Sequence, residues 1–226
     1  ISFYVDNTDA GNTGARDRII ADLERANELA RRHLTEPVLS QNPVIAVWRD
    51  AFQRFKTKKG ARSSIEALLK RVDMGQGVGP INPLVDIYNS ISLEYVLPCG
   101  VEDVDTFAGD LRLTVTGGGD TFQALGDAEP SETLPGEVAY LDDAGAVCRC
   151  WNWRDGQRTM LTETTTHAVA IIESVDPGRH GDLAAALDTL AGRIQQRMGA
   201  TVVRRDILDR ENPSVSLSTA ASETAT

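Results

Sequence analysis

The segment that most restricts the fold of this chain is residues 145–173, GAVCRCWNWRDGQRTMLTETTTHAVAIIE. It opens with an alternating pattern, passes through a polar stretch, and ends in an apolar run closed by a single carboxylate, Glu173. Alternation and short apolar runs bounded by polar residues both favour β-strands. We therefore expect two strands joined by a polar turn, with the rest of the chain building a pocket around them.

Helical and strand patterns are interleaved elsewhere. Apolar residues recur at helical spacing over 16–34, 44–55, 63–72, 83–97 and 181–198, while strand patterns cover 2–5, 111–115, 121–125, 138–141 and 201–208. A capping box of Ser63 and Glu66 is predicted to begin the third helix, and Asn82 followed by Pro83 to begin the fourth. Because strands and helices do not alternate as regular βαβ units, we predict an α+β fold and not a doubly wound one.

Composition excludes several classes of protein. A chain of 226 residues with a net charge of -10 is ill suited to coating nucleic acid, which needs clustered Lys and Arg. Its three cysteines lack the spacing of a metal site, so reduced, buried thiols are expected. No signal peptide or membrane-spanning run is visible. We expect a cytoplasmic protein with no cofactor, no bound metal, no membrane partner and no DNA partner.

Carboxylates and basic residues each cluster in one loop. The segment PCGVEDVDTFAGD is predicted to be an acidic loop whose Glu102, Asp103 and Asp105 are solvated or cap backbone, since their spacing matches no EF-hand. The one dense basic cluster lies in FKTKKGARSS. It is either a solvated loop or an RNA phosphate contact on an otherwise acidic protein, and its cations are Lys56, Lys58, Lys59 and Arg62.

Polar residues interrupt the apolar fourth helix. Asn82 precedes it, and Asp86 and Asn89 lie within it. Buried Asp and Asn are unfavourable unless they form hydrogen bonds. These three side chains therefore either cap a neighbouring loop or shape a ligand site.

The Trp-Asn-Trp-Arg element combines aromatic and polar groups. On a regular strand Trp151 and Trp153 share one face and Asn152 lies on the other. The tryptophans either stack on a base or aromatic ligand, or pack in the core. Arg154 is suited to binding a carboxylate, a phosphate or a terminal adenosine.

The order of these motifs resembles a known module. NPLVDIYNSISLEYVLPCGVEDVDTFAGDLRLTVTGGGDTF is similar to the B3 region of the bacterial phenylalanyl-tRNA synthetase beta subunit, and GEVAYLDDAGAVCRCWNWRDGQRTMLTETTTHAVAIIE to the B4 region. With WRDAF and SSIEALLKR, the resemblance spans residues 44–207 and points to a free-standing B3/B4 domain protein. It implies mixed β-sheets with flanking helices, and a domain at 44–212. Residues 1–43 then form a strand and helix packed on it, and 213–226 a disordered tail.

The resemblance also implies a pocket between the two halves. In the synthetase this module hydrolyses tyrosine wrongly esterified to phenylalanine tRNA. Glu173 matches the glutamate that recognises the wrong amino acid, and Thr166 approximates a nearby threonine. This chain departs from the synthetase at Gly100, where a histidine is replaced, and near Trp153, where Trp-Asn-Trp-Arg stands for a Gly-Gly turn. Tyrosine specificity is therefore not expected to carry over.

Two functions follow from the sequence. The first is a trans-acting aminoacyl-tRNA deacylase in which Glu173, Arg154 and Asn152 act catalytically. The second is a non-catalytic binding module for tRNA or an amino-acid-like small molecule. In both, the expected pocket residues are Asn82, Asp86, Asn89, Gly100, Trp151, Trp153 and Thr166.

Overall fold

The computed structural model describes residues 1–7 and 13–217. The helices are α1 (Thr13–Arg31), α2 (Pro43–Phe52), α3 (Ser64–Asp73), α4 (Pro83–Tyr95) and α5 (His180–Met198). The strands are β1 (Ser2–Tyr4), β2 (Cys99–Asp103), β3 (Arg112–Val115), β4 (Thr121–Phe122), β5 (Ser131–Glu132), β6 (Val138–Asp142), β7 (Gly145–Arg149), β8 (Arg154–Asp155), β9 (His167–Ile172) and β10 (Thr201–Arg204). Helices and antiparallel sheets confirm the predicted α+β class.

The first sheet has the strand order β10-β1-β9-β2, and every neighbouring pair is antiparallel. One of its faces, which includes Phe3, Val101 and Ala170, packs against helices α1, α4 and α5 in a single apolar core. Side chains alternate across a strand, so Gly100, Glu102, Val169 and Glu173 lie on the face that turns away from the helices.

Helix α4 lies at the centre of the helical layer and is buried along most of its length. The Asn82 side chain accepts a hydrogen bond from the Val85 amide at 3.0 Å, and Pro83 occupies the first turn, as predicted. The helix ends at Val96, which has a left-handed φ of 51°. The Ser92 hydroxyl donates to the Leu97 carbonyl at 2.6 Å and fixes the exit of the chain.

A second apolar core lies between α1, α2, α3 and the Trp-Asn-Trp element. Its centre is Trp48, which is only 2% exposed and is surrounded by Leu23, Ile45, Ile65 and Leu69. Burying an apolar side chain of this size stabilises the fold by about 1.5–3 kcal/mol. This core fixes the position of α2 and α3, and with them the basic loop between the two helices.

The second sheet has the order β3-β6-β7-β8, and it meets the end of β9 in the first sheet where the Tyr140 hydroxyl bonds to Glu173. A tight hairpin joins β6 to β7 at Gly145, whose φ is +135°. A Cβ atom there would lie 2.5 Å from the Thr121 carbonyl oxygen, so the position requires glycine. Short strands β4 and β5 pair with each other and cover one end of this sheet.

Several local predictions were wrong. The start of the expected acidic loop is strand β2, in which Glu102 and Asp103 are buried because the strand pairs with β9, although Asp103 does cap backbone as expected, accepting from the Asp105 amide at 3.0 Å. The strand expected over residues 121–125 ends at Phe122 and pairs with β5. The capping box is absent, because Glu66 forms a bidentate pair with Arg49 instead of reaching back to Ser63.

The C-terminal segment and the cysteines were also predicted from the sequence. The last strand ends at Arg204, and residues 213–217 have no regular structure, while 218–226 of the predicted tail lie outside the described residues. The three cysteines are buried and unpaired, as predicted. Among the described residues, no helix has both the length and the apolar character needed to cross a membrane.

Candidate functional site between the two sheets

The Trp-Asn-Trp element is a turn, and not the strand that the alternation predicted. Cys150 and Trp151 have φ values of 46° and 64°, a left-handed conformation that is unfavourable by about 1–2 kcal/mol for a side-chain-bearing residue. Strand β7 therefore ends at Arg149, and Trp151 and Trp153 do not share a strand face. The Trp151 amide donates to the Val138 carbonyl at 2.6 Å and the Trp153 amide to the Arg149 carbonyl at 3.2 Å.

A buried ion pair supports the start of this turn. Arg149 donates to both carboxylate oxygens of Glu137, at 2.9 and 2.7 Å, and the two side chains are 2% and 0% exposed. Glu137 also accepts from the Cys150 amide at 2.8 Å and the Leu134 amide at 3.0 Å. Burial acts to raise the pKa of Glu137, but these donors outweigh it and lower the pKa below its usual value.

Trp151 packs in the second apolar core. Its ring makes an edge contact with Trp48 at 5.3 Å, stacks on Phe52 at 6.4 Å and meets Phe55 edge-on at 6.1 Å. The core interpretation of this tryptophan is therefore the one that the structure shows. The indole N–H, however, points towards the sheets and donates to Glu173 at 2.6 Å.

Glu173 joins the turn to both sheets. Its carboxylate accepts hydrogen bonds from the Tyr140 hydroxyl at 2.5 Å, the Trp151 indole at 2.6 Å and the Asn152 amide at 2.5 Å. Burial raises the pKa of Glu173, and the three donors oppose that rise. Glu173 and Asn152 are thus brought together as predicted, but each is already bonded to the other.

Three polar side chains cross the second sheet in one row. Tyr140 pairs with Cys148, and Cys148 with Asp155, so all three project from the same face of β6, β7 and β8. The Tyr140 end of the row meets Glu173. Gly100 and Glu102 project from the same face of the first sheet as Glu173. We refer to Tyr140, Cys148, Asp155, Gly100, Glu102 and Glu173 as the inter-sheet site.

The carboxylates of the inter-sheet site interact strongly. Burial raises the pKa of Glu102 well above its usual value, and the negative charge of Asp155 raises it further. Burial likewise raises the pKa of Asp155. Burial raises the pKa of the Tyr88 hydroxyl on α4, and the negative charge of Asp155 raises it further. Tyr140, Asp155 and Glu173 are half-buried residues.

Arg154 lies outside the inter-sheet site. It pairs with Arg149 of β7 and therefore projects from the face opposite to Asp155. Its guanidinium contacts Asp127 at 3.3 Å and lies over the Trp153 ring at 5.8 Å. Contrary to the expectation from the sequence, Arg154 is therefore not placed to act directly beside Glu173.

The polar residues of α4 also point elsewhere. Asp86 is fully buried, pairs with Arg16 of α1 at 2.6 Å and accepts from the Ile81 amide at 2.7 Å. Asn89 lies three residues further on, on the same helix face. The sequence left two roles open for these side chains, namely capping a loop or shaping a ligand site. Asn82 caps the helix and Asp86 bonds to the preceding loop, so the structure shows the capping role for both.

Thr166 is exposed, and its carbonyl accepts from the Val5 amide at 2.9 Å. The sequence missed Tyr140, Cys148, Asp155 and Glu102 as members of the inter-sheet site. Only the strand pairing puts Tyr140, Cys148 and Asp155 in one row, and residues far apart in sequence carry no local signal of that pairing.

A separate cleft of about 350 Å³, which includes Phe122 and Ala146, lies beside β4 and β7.

The basic loop contacts the turn. The Lys58 amide donates to Cys150 Sγ at 3.4 Å, and the Ser64 amide at the start of α3 donates to the Asn152 carbonyl at 3.1 Å. The Lys56, Lys58 and Lys59 side chains are exposed, and Arg62 is partly buried. The basic loop therefore lies beside the Trp-Asn-Trp turn, which closes one end of the inter-sheet site.

The fold and the site define a class of protein: an α+β domain with a polar site between two antiparallel sheets. A family model described as the B3/4 domain matches residues 47–197, and the chain belongs to this family.

A comparison with curated proteins agrees. A phenylalanine--tRNA ligase beta subunit from Ruegeria pomeroyi is 39% identical over 70 residues, which are 31% of this chain and 9% of that protein. The matched part is thus a small fraction of the relative's length. The predicted relationship to the phenylalanyl-tRNA synthetase beta subunit is confirmed.

Proposed function

We propose that this protein is a trans-acting aminoacyl-tRNA deacylase, whose inter-sheet site holds the aminoacyl group of a mischarged tRNA. The observation that supports it most is the contact between the basic loop and the turn that closes the site. An aminoacyl ester presents a polar amino acid beside a phosphate backbone, so a polar site and a cationic loop have to lie close together.

The chemistry asked of the protein is modest. An aminoacyl ester is labile, and its hydrolysis needs a positioned water and a donor to the developing oxyanion. Tyr140, Trp151 and Asn152 converge as donors on Glu173, which fixes their orientation at one end of the site. In this proposal Glu173 is a positioning residue that keeps the wall of the site rigid.

The decisive experiment is a panel of tRNAs charged with different radiolabelled amino acids, each incubated with the purified chain. We expect faster loss of label from at least one mischarged tRNA. Glu173→Gln should slow that loss at least about tenfold, since an amide cannot accept from all three donors equally well. Glu163→Gln, which changes an exposed glutamate, is the matched control. Absence of deacylation across the panel would refute the proposal.

The basic loop is tested separately through binding. Lys58→Glu should weaken tRNA binding and lower the slope of log affinity against log salt by about 1. Lys70→Glu, on the exposed surface of α3, is the control of equal charge. Equal losses for the two variants would show that the loop has no special contact with RNA.

A non-catalytic binding module is the second candidate function. It is favoured by the saturated hydrogen bonding of Glu173 and by Gly100, which stands where the synthetase has a histidine. This candidate predicts that a ligand raises the melting temperature in the absence of turnover.

A further inference from the structure

The inter-sheet site has two chemically different ends. At one end Glu173 is saturated by three donors from its own chain. At the other end lies Glu102, which pairs with Val169 on β9, four residues before Glu173. At about 3.3 Å per residue the two carboxylates are roughly 13 Å apart along the sheet. The row from Tyr140 to Asp155 extends about 10 Å across the second sheet, over two strand spacings.

The Glu102 end contains buried polar atoms without partners. Glu102 is 5% exposed, and its Oε2 has no hydrogen bond to any part of the chain that the structure describes. The hydroxyl of Thr159, which is 0% exposed, has no hydrogen bond of normal geometry to the described residues, but its weak contact with the Glu102 carboxylate acts to lower the pKa of Glu102. The two groups are neighbours, because the Asp103 amide donates to the Thr159 carbonyl at 3.0 Å. A buried polar atom without a partner is unfavourable by about 1–3 kcal/mol, and such atoms are rare.

The surroundings of this end lack a free cation among the described residues. Asp155 faces Glu102 from the second sheet, and the two carboxylates repel each other. The nearest compensating charge is Arg158, whose guanidinium is already held by both oxygens of the fully buried Asp142, at 2.8 and 2.7 Å. One oxygen of Glu102 and the Thr159 hydroxyl therefore lack normal hydrogen-bond partners in the described residues, and Asp155, which bonds to Cys148, adds a second carboxylate beside them.

We propose that Glu102, Asp155 and Thr159 form an ammonium-binding subsite for the amine of the ligand in the inter-sheet site. A primary ammonium donates three hydrogen bonds and carries the positive charge that this end lacks. The subsite deepens the proposed function, on which it rests, by stating that the aminoacyl substrate is recognised through a charged amine. Glu173, at the other end, fixes the turn through its hydrogen bonds with Trp151 and Asn152.

Short esters separate this inference from tRNA hydrolysis. Alanine methyl ester carries an α-ammonium, Nα-acetyl-lysine methyl ester carries a distal one, and Nα-acetyl-alanine methyl ester carries neither. Calorimetric titration of the full chain with each ester measures the affinities directly. We expect at least one ammonium-bearing ester to bind at least about tenfold more tightly than the neutral ester. The one that does so identifies the α-amine or the side-chain amine as the recognised group.

The variants assign the effect to the subsite. Glu102→Gln and Asp155→Asn should each weaken binding of the preferred ester about tenfold, whereas Glu163→Gln should leave it unchanged. Two variants on different strands are used so that a folding defect in one does not remove the test. Equal binding of charged and neutral esters, no binding of any ester, or unchanged affinity in both variants would overturn the inference.

The two proposals fail in different ways. If a mischarged tRNA is deacylated but neutral esters bind as well as charged ones, the deacylase stands and the ammonium subsite falls. If charged esters bind selectively and no tRNA of the panel is deacylated, the subsite stands and the deacylase falls.

Discussion

The buried pair of Arg149 and Glu137 supplies the most decisive test of how the site is held together. Replacing Arg149 with Met removes two charge-assisted hydrogen bonds of 2.9 and 2.7 Å and leaves the Glu137 carboxylate buried without its counter-ion. Glu137 must still accept from the Cys150 and Leu134 amides, one at each carboxylate oxygen, so a proton on either oxygen weakens one of these hydrogen bonds. The carboxylate can therefore neither leave the interior nor take up a proton without losing part of its bonding.

Breaking a buried ion pair by removing one partner destabilises a protein by about 3–5 kcal/mol. Burial of the two side chains, 2% and 0% exposed, places this pair in that class. For a chain of 226 residues, each kcal/mol lowers the melting temperature by roughly 2–4 °C. We thus expect Arg149→Met to lower the melting temperature by about 6–20 °C.

The assay is thermal unfolding followed by tryptophan fluorescence, because Trp151 lies in the turn that the pair supports. The matched control is Arg112→Met, which breaks an ion pair with Asp143 that is 48% and 65% exposed. Exposed pairs contribute about 0–1 kcal/mol. If the two variants lose the same stability, the argument from burial is wrong.

Two further predictions concern the site. Burial raises the pKa of Glu102 in the folded protein above its ordinary value of 4.5. As the pH rises above 4.5, the unfolded state therefore releases a proton that the folded state keeps. The free energy of unfolding should then fall by up to about 1.4 kcal/mol per pH unit. Glu102→Gln should flatten this fall and stabilise the protein at pH 7.5, and identical slopes of unfolding free energy against pH in the variant and the parent would contradict it. Trp151→Ala should destabilise the fold by about 3–5 kcal/mol through loss of its ring contacts and its bond to Glu173. Trp153→Ala should cost less than half as much, and equal losses in chemical unfolding would show that the buried ring is not what fixes the turn.

Local sequence chemistry determined much of this fold. The cap at Asn82, the proline after it and the apolar spacing predicted α4 correctly, because helix initiation depends on residues within one turn of each other. Period-two alternation predicted β6 and the first strand of the opening segment for the same local reason. The motif order also sufficed to predict the family.

Tertiary structure alone decided the site. Alternation through Trp151 and Trp153 predicted a continued strand, but packing against Trp48 and bonding to Glu173 stabilise a left-handed turn that local propensity disfavours. Glu102 looked like a solvated loop residue because its sequence neighbours are acidic, and pairing with β9 buries it. Asp155 gained its place opposite Glu102 from the register of three strands. Strand pairing joins residues far apart in the chain, so no pattern within one segment carries that information.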